Sequence, residues 1–314
     1  MIILRIRHIF ARKNKRLTSF FEMKQRYYQL IAIAVVFIWG TTFISTKILI
    51  NYGLSPQDVF FYRFLLAYIG IWTISPLKLF ADNWKDELYM MAGGITGGSL
   101  FFFLQNLSLQ MTQASNVSFI ICTSPLSATI LTVLCTRNEK FTKRFVYGSL
   151  AALLGVGLVI FNGNVVLKLS PTGDFLALSA SLLWGVYSLI IKRITNNYSS
   201  IFITRKVFFY GILTILPVFL IQPLFMDFDL LVTPVILGNL LFLGIAASLG
   251  CYLLWNIVVS KMGVIQSSNY LYLNPLATML RAYAVLNEQI TLVALGGMIL
   301  ILTGIYIATR KQEP

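Results

Sequence analysis

Apolar runs of about twenty residues recur ten times along this 314-residue chain, and no other feature limits its folding so tightly. They lie at about Gln29 to Ile50, Asp58 to Ser75, Leu88 to Gln110, Ala114 to Cys135 and Phe145 to Asn162. A second set follows at about Asp174 to Ile191, Lys206 to Gln222, Val235 to Ser260, Val264 to Leu286 and Leu292 to Thr309. A helix of that length crosses the hydrocarbon layer with its backbone hydrogen bonds satisfied internally. Barrel strands alternate apolar with polar residues, and these runs do not, so the expected class is an all-α integral membrane protein with ten transmembrane helices. The composition agrees, because 57% hydrophobic and 11% charged residues cannot clothe a soluble globule of this size. Soluble enzyme classes are thereby set aside.

The formal net charge is +14, yet the basic residues fall in short gaps between apolar runs rather than on one folded face, which excludes nucleic acid as the expected partner. With the N-terminus in the cytoplasm, 21 of the 25 lysines and arginines fall in inner segments and only Lys168 in an outer loop. The positive-inside rule demands that asymmetry, so a multi-pass protein of the cytoplasmic membrane with both termini inside is expected. Residues 1–28 form a basic tail with eight basic residues and one acid, Glu22; arginines follow the short apolar start at once, unlike a signal peptide. Translation from Met23 would leave most of that tail outside the protein, and both starts stay open. Cys122, Cys135 and Cys251 sit within apolar runs without ligand spacing, and His8 is the single histidine. No metal or cofactor is expected.

The two sets of runs repeat one another. Trp39, Gly40 and Lys47 recur as Trp184, Gly185 and Lys192 at an offset of 145 residues. Gly94, Ile95, Asn106 and Pro125 recur as Gly244, Ile245, Asn256 and Pro275 at 150, and Glu139, Thr142, Gly148 and Gly155 as Glu288, Thr291, Gly297 and Gly304 at 149. Order, offset and place within the run all persist, which marks an internal duplication. Residues 29–162 and 171–311 are the expected repeats. Five spans is an odd number, so the second copy enters the bilayer from the opposite side. Inverted repeats of this kind supply many secondary transporters with two packings of similar energy.

This ordered set resembles the EamA-type branch of the drug/metabolite transporter superfamily. The resemblance rests on Trp39-Gly40 with Lys47, Trp184-Gly185 with Lys192, Arg63 after Pro56, and Pro125 or Pro275 followed by Glu139 or Glu288 and the paired glycines. It covers residues 29 to 309 and implies an inner-membrane permease of small polar metabolites, often an amino-acid exporter; exporters of other metabolites or drugs are the alternative. Two departures stand out: one extra residue between Pro125 and Glu139, and a charge, Arg281, inside the ninth run.

Pro125 and Pro275 sit near the centres of the fourth and ninth runs, where each frees the carbonyl four residues earlier, at Ile121 and Leu271. Broken backbone at matching depth in two repeats points to a midplane transport site, with Ser124 and Asn274 supplying polar side chains. The competing account is a plain bend in a packed helix. Asn106, Asn116, Asn256 and Asn269 either face a cavity or bond between helices. Trp39, Trp184, Tyr187, Trp255, Tyr270 and Tyr272 either line a cavity or pack as core. Lys47, Arg63 and Arg281 all fall within about two turns of the outer surface; a shallow cationic ring there would favour carboxylate-bearing substrates, and snorkelling to headgroups is the alternative. The glycines around Gly93 to Gly98 and Gly148 to Gly157 serve close packing or rocking.

No acid lies near any run's centre, which disfavours proton-coupled antiport of cations. The expected substrate is a small zwitterionic or anionic metabolite, an amino acid first, moved outward through a cavity between the repeats by alternating access. A membrane-embedded lipid enzyme is the rival class, but the duplicated carboxylates Glu139 and Glu288 would face opposite sides. A receptor or scaffold is the other rival. Oligomeric state stays open, and a monomer is compatible with everything above.

Overall fold

A computed structural model describes residues 2–75, 78–111, 114–135, 142–161, 170–286 and 291–309. Glu139, Glu288 and Lys168, and the side chain of Asn116, lie outside the described residues. Every regular element among the described residues is a helix. Helix α1 is Ile2–Asn51, α2 Pro56–Trp72, α3 Trp84–Met111, and α4 is two pieces, Ala114–Ile121 and Ser124–Cys135. Helix α5 is Lys143–Phe161, α6 Pro171–Ile194, α7 Ser200–Leu220 and α8 Pro234–Met262. Helix α9 runs from Val264–Ser268 through a 3-10 turn, Asn269–Leu273, into Asn274–Leu286, and α10 is Leu292–Thr309.

Local chemistry starts and stops these helices. Ser55 caps α2 in a full capping box with Asp58, and Pro56 follows at the first helical position, where a missing N–H costs nothing. Ser199 caps α7 through the Phe202 amide and Asn83 caps α3 through Asp86. Gly53 at φ 101° and Gly263 at φ 85° take the left-handed turns that close α1 and α8, a conformation that favours glycine. Six helical stretches are long and apolar enough to cross a membrane among the described residues: Arg26–Asn51, Trp84–Met111, Val117–Cys135, Pro171–Ile194, Ser200–Leu220 and Pro234–Met262. Helix α2 has 17 residues, and α9 is interrupted. Leucine, isoleucine and phenylalanine side chains such as Leu134, Leu154, Phe175 and Ile299 are exposed on the outside of the bundle, as lipid-facing residues are.

Irregularity is placed twice. Helix α3 widens into a π-helical turn at Ile95–Ser99, directly after Gly94, and α8 does the same at Phe242–Gly250, which contains its repeat partner Gly244. Helix α4 breaks at Cys122 and Thr123, just before Pro125, and α9 tightens to 3-10 geometry just before Pro275. Neither freed carbonyl is left open: Ile121 O accepts from the Ser124 hydroxyl at 2.5 Å, and Leu271 O from the Asn274 amide.

The halves interlock. Helix α1 packs on α9 and α6 on α4; α2 packs on α8 and α7 on α3. A Cβ on Gly40 would meet the Asn274 carbonyl at 2.5 Å, and one on Gly185 the Ala128 amide at 3.0 Å, so equivalent glycines seat α1 and α6 each against the opposite half. Helices α5 and α10 form a separate seam: a Cβ on Gly148 would lie 2.6 Å from Gly304 O, and one on Gly304 2.5 Å from Gly148 O. Gly155 and Gly297 repeat that reciprocal approach.

Candidate functional site

At the centre of the bundle lies a narrow cavity of about 50 Å³, room for a few waters rather than a whole small molecule in this packing. Trp39, Thr42 and Phe43 of α1, Phe101, Phe102 and Gln105 of α3, and Arg63 of α2 line it. So do Ile121 and Ser124 of α4, Trp184 of α6, Tyr252 of α8, and Leu271 and Asn274 of α9. Both halves contribute, and both helix breaks border it. Most of the lining falls toward the end of the bundle where α1 and α3 finish and α2 and α4 begin.

Aromatic rings form much of the wall. The Trp39 and Trp184 rings meet edge to face at 5.3 Å, Trp184 lies 5.1 Å from Phe101, and Tyr252 lies within 6.0 Å of both tryptophans. Their polar ends differ. Trp39 Nε1 donates to Ala247 O at 2.9 Å, in the π-helical turn of α8. The equivalent acceptor for Trp184 would be Gly97 O, but Tyr252 Oη already donates to it at 2.5 Å, and Trp184 Nε1 is buried without a partner. Asn274 Oδ1 is likewise buried and unpartnered.

The structure brings together Trp39, Ser124, Trp184, Asn274 and Arg63 of the residues expected from sequence. Asn106, Asn256, Tyr187 and Tyr270 are buried but lie off the cavity, and Pro125 and Pro275 border it only through the residues that precede them. The two asparagines are clamps. Asn106 Nδ2 donates to Pro56 O at 3.1 Å, tying α3 to the start of α2. Asn256 Nδ2 donates to Thr204 Oγ1 at 2.9 Å, and Thr204 in turn to Ser200 O at 2.7 Å, tying α8 to the start of α7. Tyr187 Oη completes that second clamp by donating to Asn256 Oδ1 at 2.8 Å. Interhelical hydrogen bonding accounts for all three.

The three in-span cations do not share one rim. Lys47 Nζ donates to Leu109 O at 2.9 Å, near the end of α3, and Arg281 Nη1 to Thr41 O at 3.0 Å, within the span of α1. Lys192, the repeat partner of Lys47, donates to Ser260 O at 3.1 Å in the same manner. Arg63 alone enters the cavity, 1% exposed, with Nε on Ser248 Oγ at 2.9 Å and its guanidinium 4.2 Å above the Phe102 ring. Burial depth could not be read from its place five residues into a run.

Sequence reasoning missed Thr42, Phe43, Phe101, Phe102, Gln105 and Tyr252, and named Ile121 and Leu271 only for their carbonyls. One signal was present for two of them: Phe102 and Tyr252 lie 150 residues apart, the offset that pairs Asn106 with Asn256. An aromatic residue kept four places before each clamp asparagine marks that helix face.

At the opposite end from the cavity the halves are pinned by charge. Lys206 pairs with Glu87, whose carboxylate also accepts from Tyr210 Oη and the Ala81 amide. Tyr198 Oη donates to Asp86 at 2.9 Å, and Arg205 donates to Lys78 O. The Lys78 ammonium, hydrogen-bonded to Asp82, holds that exposed carboxyl below its ordinary range.

Fold and cavity together define an all-helical, multi-pass membrane protein built from two similar halves around an internal site. The model of the EamA-like transporter family matches the chain twice, at residues 26–161 and 171–310. The chain belongs to the EamA-like transporter family, a family of transporters and not of enzymes. It is 27% identical over 295 residues to an uncharacterized transporter of Archaeoglobus fulgidus, covering 93% of this chain and 100% of that one. It is 23% identical to a probable amino-acid metabolite efflux pump of Escherichia coli, over 88% of this chain and 93% of that protein. A crystal structure superposes with a TM-score of 0.72 at 17% identity, over 90% of this chain and 97% of the other, a likeness of fold.

Proposed function

We propose that this transporter is a secondary permease of the cytoplasmic membrane in which α1 to α10 are ten spans, arranged as inverted repeats 29–162 and 171–311. It moves a small polar metabolite by alternating access, an amino acid exported from the cytoplasm being the leading case. The observation that carries this reading is the central cavity, lined from both halves at the two proline-linked helix breaks. Duplicated clamps, π-helical turns and lysine contacts support the repeat, and the name of the Escherichia coli relative supports the substrate class. With the basic loops inside, most of the cavity lining lies in the outer half, and the Glu87–Lys206 pair joins α3 to α7 at the inner end.

Purified protein in liposomes, assayed for counterflow of labelled amino acids, tests this. Trp184→Ala and Asn274→Ala are expected to lower flux about tenfold or more while the protein stays folded by gel filtration and thermal melting. Unchanged flux in both would remove the cavity as the site.

A further inference from the structure

The cavity displays a positive charge that no acid among the described residues neutralises. Among the described residues Arg63 forms no ion pair, its one hydrogen bond goes to a neutral hydroxyl, and no residue lining the cavity is an acid. Burying a cation this deeply is costly unless an anion answers it. Packing does not call for arginine here. Ser55 and Ser199 cap α2 and α7, and Phe64 and Phe208 touch at 5.0 Å; both pairs are 144 residues apart. By that offset the counterpart of Arg63 is Val207, a fully buried hydrocarbon side chain. One half fills the position with a branched apolar residue, and the other brings a guanidinium to the wall of the cavity.

Two more groups are left wanting partners there, a donor at Trp184 Nε1 and a neutral acceptor at Asn274 Oδ1. Both residues are more than nine-tenths buried and line the cavity. The site therefore offers a charged fork, a second N–H, aromatic faces and no counter-charge for an ammonium.

We propose that Arg63 binds the carboxylate of the transported molecule, that the aromatic wall holds an apolar or aromatic body, and that an amino group is dispensable. The substrate class is hydrophobic carboxylates with or without an α-amino group, and the inference rests on the permease reading above. A guanidinium matches a carboxylate through two parallel hydrogen bonds, whereas a ligand carrying only an ammonium would set a second cation beside Arg63. Phenylalanine carries both groups this chemistry asks for, a carboxylate and an apolar ring; so does its deaminated analogue.

Thermal stabilisation and liposome counterflow with phenylalanine, 3-phenylpropionate, phenethylamine and phenylalaninamide test the assignment on the unaltered protein. The two carboxylates are expected to raise the melting temperature and exchange, and the amine and amide to do neither. Arg63→Gln is expected to weaken both carboxylates at least about tenfold, and Arg63→Lys to weaken them less. Equal binding of amine and acid, or undiminished carboxylate affinity in folded Arg63→Gln, overturns the inference. If the amine or amide is carried and the acids are not, permeation stands and only the carboxylate assignment falls. Absence of binding and flux for all four overturns both.

Discussion

Trp39 and Trp184 hold equivalent places in the two halves, yet only the first has an acceptor for its indole N–H. Replacing either with phenylalanine removes the same atoms, so the difference between the variants isolates the hydrogen bond. Trp39→Phe is expected to be less stable than Trp184→Phe by about 1 kcal/mol, measured by thermal unfolding in detergent. Equal melting temperatures would show that the Ala247 contact contributes nothing. Asn256→Leu, by contrast, breaks a buried chain running from Tyr187 to Ser200 and leaves Tyr187 Oη without its acceptor. Its expected cost is about 1–3 kcal/mol of stability with the substrate preference unaltered, because Asn256 lies off the cavity.

Helices α5 and α10 meet glycine against glycine, closely enough that a single methyl group collides with backbone on the facing helix. Gly304→Ala is expected to force that seam apart and to destabilise the fold by about 1–3 kcal/mol, read as a lowered melting temperature. A neutral substitution would mean that the seam is loose. Helices α3 and α7 are joined instead by Lys206, 4% exposed, and Glu87, 19% exposed. Lys206→Met strands the carboxylate and is expected to cost about 3 kcal/mol, whereas adding Glu87→Gln recovers part of it, since the second change removes the orphaned charge. A double variant as unstable as the sum of the single ones would leave no coupling to explain.

Over the molecule as a whole, the proposed inversion of the two halves makes a topological prediction. A cysteine at Tyr52, in the turn after α1, and one at Asn196, in the turn after α6, should react with a membrane-impermeant thiol reagent from opposite sides of the membrane. The background for this is Cys135→Ser, because Cys122 and Cys251 are buried. Labelling of both positions from the same side would undo the inversion. Much of this architecture was legible beforehand: hydrocarbon thickness imposes run length, the backbone's need for internal hydrogen bonds imposes helices, and offsets of 145 to 150 residues expose the duplication. Proline marked both breaks because its missing N–H acts locally. What the linear order could not decide was which polar groups converge, since a charge five residues into a helix reaches headgroups, a carbonyl or a cavity according to what the neighbouring helices present. Lys47 and Arg281 found carbonyls, while Arg63 found a serine, a phenylalanine ring and an empty space bounded by seven helices. Sequence alone determined a helical, duplicated membrane protein, because those constraints are local or periodic. Packing between the halves decided the site, because its chemistry belongs to side chains that meet only across the bundle.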